Sequence, residues 1–207
     1  MRYLMFLMFL SCFFQDTYAQ EVDNIPKEML QKANTAADAN YLSDDEKQVI
    51  LYMNLARIDG AWFVKNILNE VDRAPYTDEN FKSLISDLNN TKDLEPLNPG
   101  KGLSEAATFH AKDMGKTGGV GHVSSDGTKT FERVKKYAKG GYMGENCSYG
   151  PSDPLSIILQ LLVDDGVPSL GHRKSILSKN YSFVGVAIEP HKTYGHNCVQ
   201  DFSDTGD

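Results

Sequence analysis

Two histidines in this chain carry the clearest chemical signal. His122 and His172 each follow a glycine, and each ends an apolar segment. Glycine lets the backbone adopt unusual conformations and lets another group approach closely. Glu145 is bracketed in a similar way, by a glycine and a turn-prone asparagine. Two neutral imidazoles and a carboxylate suit zinc or another divalent metal, and the same set could serve as a general acid and base.

The spacing of these residues does not choose between the two chemistries. His122 and Glu145 are 23 residues apart, and Glu145 and His172 are 27 apart. The sequence contains no local ligand motif such as H-E-x-x-H. A shared site therefore depends on a fold that brings three distant segments together.

The other three histidines have simpler interpretations. His110 lies on the apolar face of a predicted helix, so we expect it to be a packed core residue with satisfied hydrogen bonds. His191 and His196 fall in a predicted hairpin turn, where exposure to solvent accounts for them. We therefore place all three outside the candidate site.

The hydrophobic pattern predicts helices first, followed by helices interleaved with strands. A capping box at Ser43–Glu46 begins an amphipathic helix that we expect to reach about Glu70, and another helix starts after Thr77. The later predictions are helices at 103–114 and 131–138, a strand at 142–149, an apolar helix from 154, a short helix at 172–177, and strands at 183–188 and 197–202. This order predicts an α+β fold with a small antiparallel sheet covered by helices.

The composition excludes several classes of protein. The chain has 207 residues, 41% of them hydrophobic, which fits one globular domain with a core. It has 21 basic and 28 acidic residues, a formal net charge of -7. A nucleic-acid-binding protein normally has a basic surplus, so no nucleic-acid partner is expected. The same net charge disfavours binding to anionic membrane surfaces.

Four short motifs, taken in order, resemble the CAP superfamily, which includes cysteine-rich secretory proteins, antigen 5 and class 1 pathogenesis-related plant proteins. The motifs are Gly121-His122, Phe131-Glu132-Arg133, Gly144-Glu145-Asn146 and Gly171-His172-Arg173. The likeness covers roughly residues 45–203 and is nearest to the microbial single-domain members. It implies a three-layer α-β-α sandwich with a large cleft.

The resemblance also implies a set of site residues. In the family, two histidines and two acids meet in the cleft, and zinc or a similar ion can bind there. Matched by motif, three of these residues are His122, Glu145 and His172. The family's second acid lies on the helix before the last histidine, three residues after a tryptophan that this chain lacks. We favour Asp165 for that place because it shares a helical face with Leu162, and Asp164 is the alternative.

Two functions compete on this evidence. The first is a binding module whose metal-containing cleft takes a lipid, glycan or protein ligand. The second is a metal-dependent, peptidase-like hydrolase with Glu145 as general base. The chain has no G-x-S-x-G nucleophile motif, and members of the family mostly have no agreed enzymatic role. We therefore favour the binding module, and a purely structural protein with a polar core network is a third alternative.

The first 20 residues have the pattern of a secretory signal peptide. Arg2 precedes an apolar run that ends at Phe14, and Ala19 ends a small-residue cleavage site. The run is too short for a comfortable membrane span, so we expect a secreted or periplasmic protein, with lipid attachment at Cys12 as the alternative. We assign residues 21–42 as a linker or weak helix and 43–207 as the CAP domain.

Removal of the signal peptide would leave two cysteines, Cys147 and Cys198. An exported pair of cysteines can form a disulfide, so we expect one between the strand that carries Glu145 and the last strand. Two separate buried thiols are the alternative.

Overall fold

A computed structural model of the chain describes residues 24–206. The predicted signal peptide therefore lies outside the described residues. The helices are α1 (Lys27–Ala33), α2 (Asp44–Ile58), α3 (Gly60–Asn66), α4 (Asp78–Asn89), α5 (Lys101–Thr117), α6 (Thr130–Val134), α7 (Pro154–Val163) and α8 (Gly171–Ile176). The strands are β1 (Asn98–Pro99), β2 (Met143–Tyr149), β3 (Phe183–His191) and β4 (Gly195–Ser203).

The helix predicted from the Ser43 capping box is shorter than expected. The capping box itself is present, since Ser43 accepts from the backbone N–H of Glu46 and the Glu46 carboxylate accepts from that of Ser43. The helix ends at Ile58, and Asp59 caps a separate helix by accepting from the N–H of Trp62. Gly60 allows this break because a Cβ there would lie 2.1 Å from the carbonyl oxygen of Leu88 on α4. Tertiary contact therefore divides an amphipathic pattern that looks continuous in the sequence.

The described residues that precede this capping box, 24–42, include a short helix. This helix is α1, and the side chains of Ala33, Ala36 and Leu42 are buried in the main hydrophobic cluster. Part of the segment 21–42 therefore packs against the rest of the fold.

The sheet has four strands in the order β1-β3-β4-β2. β3 and β4 form the predicted antiparallel hairpin, and β2 pairs antiparallel with β4, with Glu145 opposite Asp201. β1 is a two-residue strand that pairs parallel with β3. β2 is thus an edge strand, and it carries Glu145.

Helices cover both faces of the sheet, which confirms the α+β, three-layer prediction. α5 and α6 pack on one face, where Ala107 and Ala111 meet Val199. α5 lies so close to β3 that a Cβ at Gly185 would be 2.1 Å from the backbone of Leu103. The other face packs against α2 and α7 in the main hydrophobic cluster, to which Val184 and Phe202 contribute and which extends to α3 and α4. Successive residues of β2 therefore point into different layers.

Candidate functional site around two histidine–carboxylate pairs

Glu145 is a buried carboxylate at the centre of the first pair. Its side chain is only 2% exposed, on the face of β2 that packs against α5 and α6. One oxygen, Oε1, lies 2.8 Å from Nδ1 of His122 and 3.0 Å from the hydroxyl of Thr130. The other oxygen, Oε2, accepts from the guanidinium of Arg133. Both oxygens of Glu145 are therefore engaged within the protein.

These contacts set the charges of the pair. Burial alone would raise the pKa of Glu145, but the hydrogen bond from His122 and the positive charge of Arg133 outweigh it and lower that pKa. The same hydrogen bond raises the pKa of His122. Because a carboxylate only accepts, Nδ1 of His122 must carry the proton. Nε2 of His122 is left as the ring nitrogen with a free lone pair when the imidazole is neutral, on a side chain that is 53% exposed.

A second carboxylate, Asp201, faces Glu145 across the sheet. It is fully buried on β4, opposite Glu145 in the strand register. Burial and the charge of Glu145 raise the pKa of Asp201 well above its ordinary range. The pKa values of these two adjacent carboxyl groups are therefore shifted in opposite directions, and the negative charge is more favourable on Glu145 than on Asp201.

The second histidine pairs with Asp164. Nδ1 of His172 lies 2.6 Å from Oδ1 of Asp164, and the backbone N–H of His172 donates to Oδ2 at 2.9 Å. Asp164 follows the last residue of α7 in a left-handed conformation, with φ 61°. Its side chain is 1% exposed, whereas that of His172 is 23% exposed.

Arg173 fixes the loop that holds this pair. Its buried guanidinium donates to the carbonyls of Leu162 (2.6 Å) and Val163 (3.0 Å), which end α7. It also forms an ion pair with Asp87 of α4 at 2.8 Å. A fully satisfied arginine thus joins three helices around the His172–Asp164 contact.

Asp165, which we favoured from the sequence as the second acid, does not contact His172. Its carboxylate accepts from the backbone N–H (2.8 Å) and hydroxyl (2.5 Å) of Thr77, and from the amide of Asn80 (2.8 Å). The reason is that α7 ends at Val163, so the helical spacing from Leu162 does not extend to residue 165. Asp165 holds the start of α4, and Asp164 is the acid that contacts the histidine.

The two pairs lie on opposite faces of the edge strand β2. Glu145 points towards α5 and α6, and the next residue, Asn146, points the other way and donates to the backbone carbonyl of His172 at 3.2 Å. Consecutive residues of one strand therefore fix the positions of both histidines. Neither Asn146 nor Arg133 was assigned a positioning role from the sequence, although both stand within the motifs quoted above.

The described residues contain one compact group of potential metal ligands. The ligand atoms of His110, Glu145 and Cys147 all lie within 4.8 Å of one another, so by distance they could hold a metal ion. His122, Glu145 and His172 do not form such a group among the described residues. That three-residue metal site stays a prediction.

The chemistry of the compact group favours hydrogen bonding over metal binding. His110 is fully buried, as predicted, with Nε2 against the carbonyl of Gly121 (2.8 Å) and Nδ1 against the hydroxyl of Ser124 (3.2 Å). A carbonyl only accepts, so Nε2 carries a proton, and burial lowers the pKa of His110 and keeps it neutral. Burial also raises the pKa of the Cys147 thiol well above its ordinary value. Both donors would have to lose existing partners or a proton before they could bind a metal.

The expected disulfide is not formed. Cys147 and Cys198 are both free, buried thiols. In the register of β2 and β4, Cys198 lies opposite Ser148, one residue from Cys147. Neighbouring residues of a strand point to opposite faces, so the two sulfurs lie in different hydrophobic clusters. The structure thus agrees with the alternative of two separate buried thiols.

The hairpin histidines lie apart from both pairs. His191 is buried, contrary to the exposed position expected for it, and its Nε2 lies 2.8 Å from the carbonyl of Gly119. His196 is exposed at the start of β4. Within the described range, no helix is both long enough and apolar enough to cross a membrane.

Comparison with known proteins agrees with this arrangement of motifs. The model of the cysteine-rich secretory protein family, CAP, matches residues 51–202. Among solved structures, an extracellular protein containing an SCP domain from Bacillus anthracis is 20% identical, with a TM-score of 0.46 over 65% of this chain and 42% of that chain. An outer surface protein from Borrelia burgdorferi is also 20% identical, with a TM-score of 0.46 over 64% of this chain and 94% of its own.

A cysteine-rich secretory protein from Staphylococcus aureus is 16% identical, with a TM-score of 0.40 over 60% of this chain and 38% of that chain. The chain thus spans less than half the length of the Bacillus and Staphylococcus proteins. No curated protein matches it.

Proposed function

Since the chain belongs to the cysteine-rich secretory protein family, CAP, by the match over residues 51–202, we propose that it is a ligand-binding module organised by a metal ion. His122 and His172 bind one divalent ion, and zinc is the ion we favour. The ion and the surrounding surface bind a lipid, glycan or protein ligand.

One observation carries the proposal: each histidine uses Nδ1 to contact a buried carboxylate. The contacts are 2.8 Å for His122 with Glu145 and 2.6 Å for His172 with Asp164. A carboxylate behind an imidazole fixes the tautomer, aims the other ring nitrogen outwards and makes it a stronger ligand. The two units contact the edge strand β2 from its opposite faces, and the proposal places both Nε2 atoms on one ion beyond the free edge of that strand.

The donor set fits zinc, with Glu145 in a supporting position. Its two oxygens are already engaged by His122, Thr130 and Arg133, so it acts behind the imidazole instead of binding the ion. Two neutral imidazoles leave further coordination positions for a ligand, and a bound zinc ion supplies a Lewis acid that attracts anionic or carbonyl oxygen atoms.

The alternative, a hydrolase with Glu145 as general base, finds less support. A general base needs an accessible lone pair and a pKa near the working pH. Glu145 is 2% exposed, both of its oxygens accept hydrogen bonds, and its pKa is lowered. A peptidase activity of the purified protein that disappears in the Glu145→Gln variant would restore the enzymatic alternative.

We also propose that the chain works outside the cytoplasm after removal of residues 1–20. The Arg2-led apolar run supports this. Amino-terminal sequencing of exported protein tests it, and a mature chain that starts at Met1 or carries lipid on Cys12 would contradict it.

Zinc titration by calorimetry at neutral pH tests the metal site. We expect binding by the wild type, loss of binding in the His122→Ala/His172→Ala variant, and unchanged binding in His196→Ala, because His196 is an exposed histidine outside both pairs. Equal zinc affinity in the wild type and the double variant would remove the metal claim.

A further inference from the structure

Exposed aromatic rings and lysines cluster on α5, on α6 and on the residues that flank α6. We call this surface the lysine–aromatic patch; it consists of Phe109, Lys129, Phe131, Lys135, Lys136, Tyr137 and Lys139. The three aromatic side chains are 37–47% exposed, and all four lysines are exposed. Exposed apolar side chains that are grouped in this way are typical of interaction surfaces.

Contacts within the patch join it into one surface. The Lys135 ammonium lies 4.2 Å from the centre of the Phe131 ring. The rings of Phe109, on α5, and Tyr137, in the turn after α6, have centroids 6.4 Å apart. The patch borders the His122 pair, because the hydroxyl of Thr130 donates to the backbone carbonyl of His122 at 3.2 Å.

The charge of the segment that carries most of the patch is opposite to that of the whole chain. The chain carries -7, but residues 129–139 contain the four exposed lysines and one acid, Glu132. Arg133 does not contribute to this surface, because it is buried against Glu145. None of the four lysines forms a salt bridge with another of the described residues.

From this combination we infer that the lysine–aromatic patch docks on the surface of an anionic lipid bilayer. Lysines attract acidic headgroups, and aromatic rings prefer the interface between headgroups and acyl chains. The Debye length is about 8 Å at physiological ionic strength, so acids on the far side of the protein are screened and the local charge decides. The net charge of the chain disfavoured binding to anionic membrane surfaces, but the local charge of the patch determines whether the patch binds them.

Vesicle sedimentation with the exported protein tests the inference. We expect binding to phosphatidylcholine vesicles that contain phosphatidylglycerol, weaker binding as sodium chloride is added, and no comparable binding to phosphatidylcholine alone. Changing Lys135, Lys136 and Lys139 to glutamine should lower the partition coefficient on the order of 100-fold, since each lysine near such a surface contributes severalfold.

A matched variant controls for net charge. Lys65, Lys82 and Lys179 are exposed lysines outside the lysine–aromatic patch, and changing them to glutamine alters the total charge equally. This control should bind anionic vesicles as the wild type does or only slightly less. Equal losses in the two triple variants would mean that the effect is nonspecific and would overturn the inference.

The aromatic contribution has its own measurement. Phe131→Ser should lower vesicle binding about tenfold through lost apolar burial. In a Trp62→Phe background, Phe131→Trp should show blue-shifted emission on anionic vesicles. Unshifted emission would refute the bilayer proposal. Binding to soluble heparin without binding to anionic vesicles would also refute it, and would show that the partner is an anionic polymer.

Discussion

Neighbouring aspartates at the end of α7 should differ sharply in their effect on zinc binding. Asp164 accepts three hydrogen bonds from the start of α8: from Nδ1 of His172, from its backbone N–H, and from the N–H of Arg173 at 3.3 Å. Asp164→Asn keeps the size of the side chain but removes its charge, and its amide cannot accept with both terminal atoms. The change therefore weakens the hydrogen bond that orients the His172 ring.

The expected magnitude follows from the role of the carboxylate. Loss of a partner behind a metal-binding histidine typically lowers metal affinity 10–100-fold, which corresponds to about 1.4–2.7 kcal/mol. Asp165→Asn should leave zinc affinity unchanged, because Asp165 contacts Thr77 and Asn80 instead. Asp165→Asn should lower only the free energy of unfolding, by about 1 kcal/mol.

Calorimetric zinc titration and urea denaturation of both variants supply the two readouts. The variants have the same change in charge at adjacent positions, so each controls for the other. Equal zinc affinities in the two variants, or a larger loss with Asp165→Asn, would refute the assignment of Asp164.

Three further predictions concern Arg133, the pH dependence of His122 and the two cysteines. Arg133→Met should lower the free energy of unfolding by about 3–5 kcal/mol because it leaves Glu145 buried without its cation; urea denaturation measures this, and a loss below about 1 kcal/mol would contradict it. The raised pKa of His122 means that its charged form stabilises the fold fully below about pH 6.5 and that this contribution is lost as the pH rises through the folded-state value. Zinc competes with this proton. As the pH is lowered, the apparent zinc affinity should therefore begin to fall while the pH is still above 6.5, which titration calorimetry across pH can measure. Alkylation followed by mass spectrometry should find Cys147 and Cys198 both free and slow to react in the native state; a 147–198 disulfide in freshly exported protein would be the contrary result.

Much of the fold is readable from the sequence because local signals and tertiary structure agree. The Ser43 capping box begins a helix, and the β-rich segments around Gly185 and Val199 form the hairpin. The break at Asp59 was not predicted, because it depends on Gly60 packing against α4, which a periodic pattern cannot reveal.

The site shows the same division between local and tertiary information. The motifs single out His122, His172 and Glu145 as candidates, since glycine-flanked polar residues are visible in the sequence. The choice of Asp164 over Asp165 depends on one left-handed residue after α7, and a shift of one residue redirects the carboxylate. The predicted disulfide was wrong for a similar reason, because strand register determines the face of the sheet on which each sulfur lies.

The central claim is that one ion binds both histidines while their carboxylates stay behind them. Anomalous diffraction at the zinc edge, from crystals of the protein grown with zinc, tests it most directly. We predict one strong peak within bonding distance of Nε2 of His122 and Nε2 of His172, with Glu145 and Asp164 still on the Nδ1 atoms. A peak between His110 and Cys147, or a peak on one histidine alone, would contradict the account.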